Sequence, residues 1–147
     1  MEISSAIICN WAEVREGVVF IAGGGITRAW KPQYPAPLGV CLAVVLSGTE
    51  GEMIGIQHEV EMVVSDADGL EIGRLSGGLS TAGGADLQPG ETLQLPLAFN
   101  LTMLPIPAPG AYDLKIRVDG GAIAGQPERT LTIYSMQIPD QPEVPAV

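Results

Sequence analysis

Leu104 to Gly120 reads LPIPAPGAYDLKIRVDG, and this one run spells a proline-braked loop, a glycine turn, a strand and a second turn. Tyr112, Leu114, Ile116 and Val118 alternate with Asp113, Lys115 and Arg117, so one face is apolar and the other charged, the period-two signature of a half-buried strand. Asp119-Gly120-Gly121 then offers the positive φ angles that a tight hairpin needs. The stretch predicts a β-sandwich and carries no chemistry of its own.

Similar signals recur outward from it. Leu38 to Ser47 is apolar on both alternating faces, as in a strand covered on both sides, and it follows the extended Pro32 to Pro37 segment. Gln57 to Ser65 puts His58, Val60, Met62 and Val64 on one face and Gln57, Glu59, Glu61 and Val63 on the other, a half-solvated strand. Leu70 to Leu75 follows, then a glycine-rich loop from Ser76 to Gly90. Thr92 to Phe99 directs Leu93, Leu95, Leu97 and Phe99 inward and carries Pro96, which belongs on an edge or bulged strand. Arg129 to Ser135 closes the series. At the start, Ile3 to Cys9 and Val18 to Ala22 form an opening hairpin or edge, joined by a connecting segment, Asn10 to Gly17, long enough for one helical turn. The expectation is an all-β, immunoglobulin-like sandwich of eight or nine mostly antiparallel strands over residues 1–137, with 138–147 a disordered, acidic, proline-rich tail.

Composition narrows the function classes. At 147 residues the chain is of single-domain size, able to bury about 70% of its unfolded surface. Seven basic residues are scattered among seventeen acidic ones, for a net charge of −10, so a nucleic-acid backbone or an anionic membrane is repelled. The apolar run Ala6 to Cys9 is too short for a secretion leader, which predicts a cytoplasmic protein, and no stretch is long and apolar enough for a helical span. Cys9 and Cys41 read as small buried hydrophobes in a reducing compartment.

Each local feature that could carry chemistry has a stronger structural reading. Gly23-Gly24-Gly25 lacks the helix start and Lys-Ser/Thr of a phosphate loop and reads as a bend between strands. Asp66-Ala67-Asp68-Gly69 with Glu71 resembles the opening of a calcium loop, yet the third acid and the terminal glutamate are absent, so a hairpin turn outweighs a weak cation site at Asp66, Asp68 and Glu71. Ser76 has no nucleophile-elbow glycine pattern, and His58 is the sole histidine available to any triad. Glu59 and Glu61 share a solvent face rather than a buried acid–base site. No catalytic residues, cofactor or metal ligand set is therefore expected. Trp11, Trp30 and Tyr34 lie in or beside connecting segments, where aromatics anchor interfaces, and are the interface candidates.

Gly110-Ala111-Tyr112-Asp113-Leu114 resembles the start of the sixth strand of immunoglobulin-type domains, with Tyr112 as the corner tyrosine and Leu114 where the second disulfide cysteine stands. Separately, Gly17-Val18-Val19-Phe20-Ile21-Ala22-Gly23-Gly24-Gly25, Trp30, Tyr34-Pro35-Ala36-Pro37-Leu38 and Pro107-Ala108-Pro109-Gly110-Ala111-Tyr112 are similar to a family of small uncharacterised bacterial proteins common in actinobacteria, a resemblance that implies no activity. The expected function is a non-catalytic protein-interaction module, with the acidic tail as a tethered peptide. One alternative is a self-assembling subunit pairing through sheet edges, for which the poorly charged Ile3 to Cys9 strand is the exposed candidate and homo-oligomers the outcome. The other is a weak small-ligand or cation binder using the Asp66 turn or a pocket near Trp30.

Overall fold

A computed structural model describes residues 1–83 and 86–140. Its strands are β1 (Glu2–Arg15), β2 (Val18–Gly24), β3 (Arg28–Lys31), β4 (Ala36–Pro37), β5 (Cys41–Gly48), β6 (Gln57–Ser65), β7 (Glu71–Ser80), β8 (Leu93–Asn100), β9 (Pro105–Ile106), β10 (Gly110–Val118) and β11 (Glu128–Gln137). A single turn of helix, α1 (Glu50–Met53), and a 3-10 turn (Gly121–Ala124) are the helical elements among the described residues. Two sheets, ordered β2-β1-β5-β8 and β3-β11-β10-β6-β7, form an all-β sandwich, and β4 pairs with β9 alone. The pairings between these strands are antiparallel except β11 with β3. The nine strands of four or more residues meet the expected number.

Alternation places the core where the apolar faces predict it. Leu42, Val44 and Leu46 of β5 meet Val60, Met62 and Val64 of β6 and Tyr112, Leu114, Ile116 and Val118 of β10 in one buried cluster. The opposite face of β5 is buried too: Cys41 and Ala43, with Cys9, form a smaller cluster against Ile7, Ala12 and Val19. The doubly covered strand of the sequence reading is thus observed, and β8 with Pro96 is an edge strand as expected. The outer face of the five-stranded sheet is charged, with Arg74 bonded to Glu71 and Glu61, and Arg117 3.4 Å from Glu61. The Glu59 and Glu61 face is accordingly a solvated one, and Glu61 is held by two guanidinium groups.

Several local expectations are corrected. Asn10 to Arg15 is not a helical connection: β1 continues through it and pairs with β2 from Cys9↔Gly24 to Arg15↔Val18. The reversal takes only Glu16 and Gly17, both at positive φ (50° and 74°), a two-residue turn whose twist suits a hairpin. Ile3 to Cys9 pairs with β5 along one side, and β2 joins the other side only from Cys9 onward, so Ile3 to Ile7 keeps an open edge as expected. A bulge between Ile3 and Ser5 lets Ile3 and Ile8, five residues apart, both face the core. β7 runs through Gly77 and Gly78 to Ser80, shortening the expected glycine-rich loop. The β10–β11 connection is longer than a tight hairpin, since Asp119-Gly120-Gly121, all at positive φ, lead into the 3-10 turn. The glycine bend is observed: the N–H groups of Gly25 and Ile26 both donate to the Ile8 carbonyl, turning the chain from the first sheet toward β3 in the second. A Cβ at Gly23 would stand 2.2 Å from the Asn10 amide nitrogen. Of the expected tail, 141–147 lie outside the described residues.

Candidate functional site

The β1–β2 hairpin concentrates exposed apolar surface more than any other part of the described chain. Beyond Cys9, β5 no longer pairs with β1, so Asn10 to Gly24 continues as a two-stranded ribbon. Ala12 and Val19 lie against Cys41 and Ala43, and both ribbon strands approach β8, which lies beyond β5 in the pairing order; the ribbon bends back over the outer face of its own sheet. Its remaining side chains are left outside. Trp11 (46% exposed), Val18 (55%), Phe20 (50%) and Ile21 (43%) crowd one short element, with Val14 beside them. Trp11, Phe20 and Val18 share a face with the Glu13–Arg15 ion pair; Val14 and Ile21 occupy the other. Contiguous apolar exposure of this kind marks contact surfaces in soluble proteins.

The structure does not bring the three interface candidates together. Trp11 stands on a strand of the first sheet, not in a loop. Trp30 stands on β3, at the edge of the second sheet, half exposed and in register with Met136 of β11. A shallow cavity of about 490 Å³ lies beside it, lined by residues including Arg28, Ala111, Tyr134 and Met136. Tyr34 is different in kind: its hydroxyl sits 2.6 Å from the Ser135 hydroxyl and its ring packs on the core, so it ties the β3–β4 connection to β11.

The cation candidates are absorbed by a turn. Asp66 Oδ1 accepts hydrogen bonds from the N–H groups of Asp68 and Leu70, and Gly69 N–H donates to the Asp66 carbonyl, an Asx-type reversal between β6 and β7. Glu71 turns away to Arg74. Among the described residues no three His, Cys, Asp or Glu side chains are grouped as metal ligands.

His58 has partners that lie far off in sequence. Its Nδ1 is 2.7 Å from Asp119 Oδ2 and its Nε2 2.8 Å from the Glu52 carbonyl, while Asp119 Oδ1 accepts from the Glu59 N–H. A carbonyl can only accept, so Nε2 carries hydrogen, and the carboxylate favours hydrogen on Nδ1 as well. Burial pulls the His58 pKa down, but bonding to Asp119 and Glu52 and the Asp119 charge outweigh it and leave it raised. Burial pushes Asp119 up, and its bonds to His58 and Glu59 together with the His58 charge leave it lowered. His58, Asp119 and Ser76 line one open cavity of about 600 Å³. An imidazolium with both nitrogens engaged is not a base for Ser76; it is a clamp joining β6, α1 and the end of β10. Sequence reading missed it because Asp119 serves first as a turn residue.

Cys9 and Cys41 face each other in register across β1 and β5, buried and unbridged, with Cys9 Sγ 3.6 Å from the Cys41 carbonyl. Burial, and then the neighbouring Cys41, push the Cys9 thiol pKa up, which makes it a poor nucleophile.

The family model described as "Family of unknown function (DUF6941)" matches residues 4–128, from within β1 to the start of β11, and the chain belongs to that family. This agrees with the resemblance to an uncharacterised family. No curated protein and no solved structure matches the chain. No helix among the described residues is long and apolar enough to cross a membrane.

Proposed function

We propose that this DUF6941 member is a non-catalytic, cytoplasmic protein-interaction module whose binding element is the β1–β2 hairpin. The observation that carries the reading is the exposure of Trp11, Val18, Phe20 and Ile21 on a ribbon that extends past the paired part of its sheet. Buried apolar area contributes about 25 cal/mol per Å², and aromatics are enriched at interface centres. The polar face of the other sheet, laced by Arg74, Arg117, Glu61 and Glu71, offers no comparable surface. The strand order β1-β5-β8 opposite β11-β10-β6-β7, with Tyr112 near the start of β10, supports an immunoglobulin-like reading of the sandwich, an architecture that presents recognition elements on a rigid frame.

The test is co-purification from an extract of the source organism with wild-type protein and the double variant Trp11→Ser/Phe20→Ser. Both side chains are about half exposed, so the melting temperature should stay within about 2 °C while bound protein is lost. The same proteins recovered in the same yield would contradict the proposal.

A further inference from the structure

We infer that the free edge of β2 is a self-recognition strand: two copies pair antiparallel through Val18–Ala22, with the two-fold axis at Phe20. The inference rests on the hairpin being the binding element and adds the identity of a partner, a second copy of this chain.

β2 ends the four-stranded sheet, and six of its seven residues are exposed. Its sequence, VVFIAGG, has neither charge nor proline, the usual guards of a sheet edge. Arg15 and Val18 are the first and fourth residues of the turn and so form a hydrogen-bonded pair. Such pairs alternate along an antiparallel ladder, which makes Glu13/Phe20 and Trp11/Ala22 the same kind and Val14/Val19 and Ala12/Ile21 the other. The N–H and C=O groups of Val19 and Ile21 therefore point away from β1, to the open edge.

A partner strand must meet those two residues with two of equal spacing and direction. A second β2, rotated about Phe20, does so: Val19 meets Ile21 of the second copy and Ile21 meets its Val19, for four hydrogen bonds, with the two Phe20 residues as the close pair between them. Centring on Ile21 would require Gly23 to pair, and centring on Val19 would require Gly17. Both glycines are in the left-handed region (φ 65° and 74°) and cannot extend the ladder. Side chains agree with the backbone. Val18 falls opposite Ala22 of the copy on the Trp11 face, and Val19 opposite Ile21 on the other, so no charged side chain faces another across the junction. The two-fold also closes the assembly as a dimer rather than a fibre.

Sedimentation of the full chain from about 1 to about 200 µM reads the assembly directly. A wild-type dimer is expected. Ile21→Pro removes an outward N–H that β1 does not use, and Val19→Lys places charge at the junction; each should raise the dissociation constant at least about tenfold. A monomer throughout, or unchanged dissociation in both variants, overturns self-pairing. Should either variant lose its fold by circular dichroism, amide exchange in the wild type decides. Protection of Val19 and Ile21 that disappears on dilution supports the pairing, and free exchange at every concentration overturns it. A monomeric wild type that binds a different protein through Trp11 and Phe20 rejects the self-pairing alone. A dimer unaffected by Trp11→Ser/Phe20→Ser rejects the hairpin reading.

Discussion

The Tyr112 hydroxyl donates to the Ala108 carbonyl at 2.5 Å, closing the chain on itself four residues upstream of Tyr112, just before β10 begins. The ring is buried in the main core cluster, so this bond joins the proline-rich approach of Pro107 to Pro109 to the central strand β10. Tyr112→Phe keeps the ring and leaves the Ala108 carbonyl without that donor. It should cost about 1–2 kcal/mol. Urea unfolding with an unchanged slope and an earlier midpoint is the expected result.

The His58–Asp119 clamp sets a pH dependence with a definite sign. His58 has its pKa raised on folding, so its contribution is full below the unfolded value near 6.5 and is lost as pH rises through the folded value. Asp119 has its pKa lowered, so its contribution is present above the unfolded value near 3.8 and is lost as pH falls through the folded value. The pair stabilises most between about pH 4 and 6.5. Wild-type melting temperature should decline above that window relative to His58→Gln, whose profile should be flatter. Parallel profiles would show that the clamp does not form.

Cys9 and Cys41 should resist thiol reagents in the native protein. Both are buried, and Cys9 is held in the thiol form by burial and by its neighbour. Labelling should be at least about a hundredfold slower than in denaturant, limited by opening of the β1–β5 ladder. Rapid modification without denaturant would mean that the hairpin does not cover that face.

Glu16 sits at φ 50°, a conformation that a side chain other than Asn, Asp or Gly adopts at some cost. Glu16→Asn converts the turn to Asn-Gly, the preferred pair for such hairpins, and should stabilise the ribbon by about 0.5–1 kcal/mol. Slower amide exchange across Asn10 to Gly24, with little change elsewhere, is the expected readout.

How far the sequence was legible depends on the kind of signal. β6, β8 and β10 stand on period-two alternation and β5 on a continuous apolar run, and the structure places all four within about three residues of the reading. The ribbon escaped because Glu16-Gly17 is not a standard hairpin dipeptide, so Asn10 to Arg15 read as a connection and Trp11 as a loop residue. The Ile3/Ser5 bulge breaks the alternation, which by itself would put Ile3 and Ile8 on opposite faces. β3 is only four residues long and takes its place from pairing with β11. Among the candidate residues, Trp11 and Trp30 keep the exposure an interface needs, whereas Tyr34 serves the core. His58 and Asp119 meet only through the β6–β10 pairing, which no local spacing encodes.

What touches the hairpin in the source organism decides whether it is the binding element. A photo-crosslinking phenylalanine analogue at position 20, compared with the same analogue at Thr130 on the charged face of the other sheet, reads this without a known partner. Irradiation in the source organism should give discrete adducts from position 20, a dimer of the chain among them, and none from position 130. No adduct at position 20, or equal adducts at both positions, would contradict the assignment of binding to the β1–β2 hairpin.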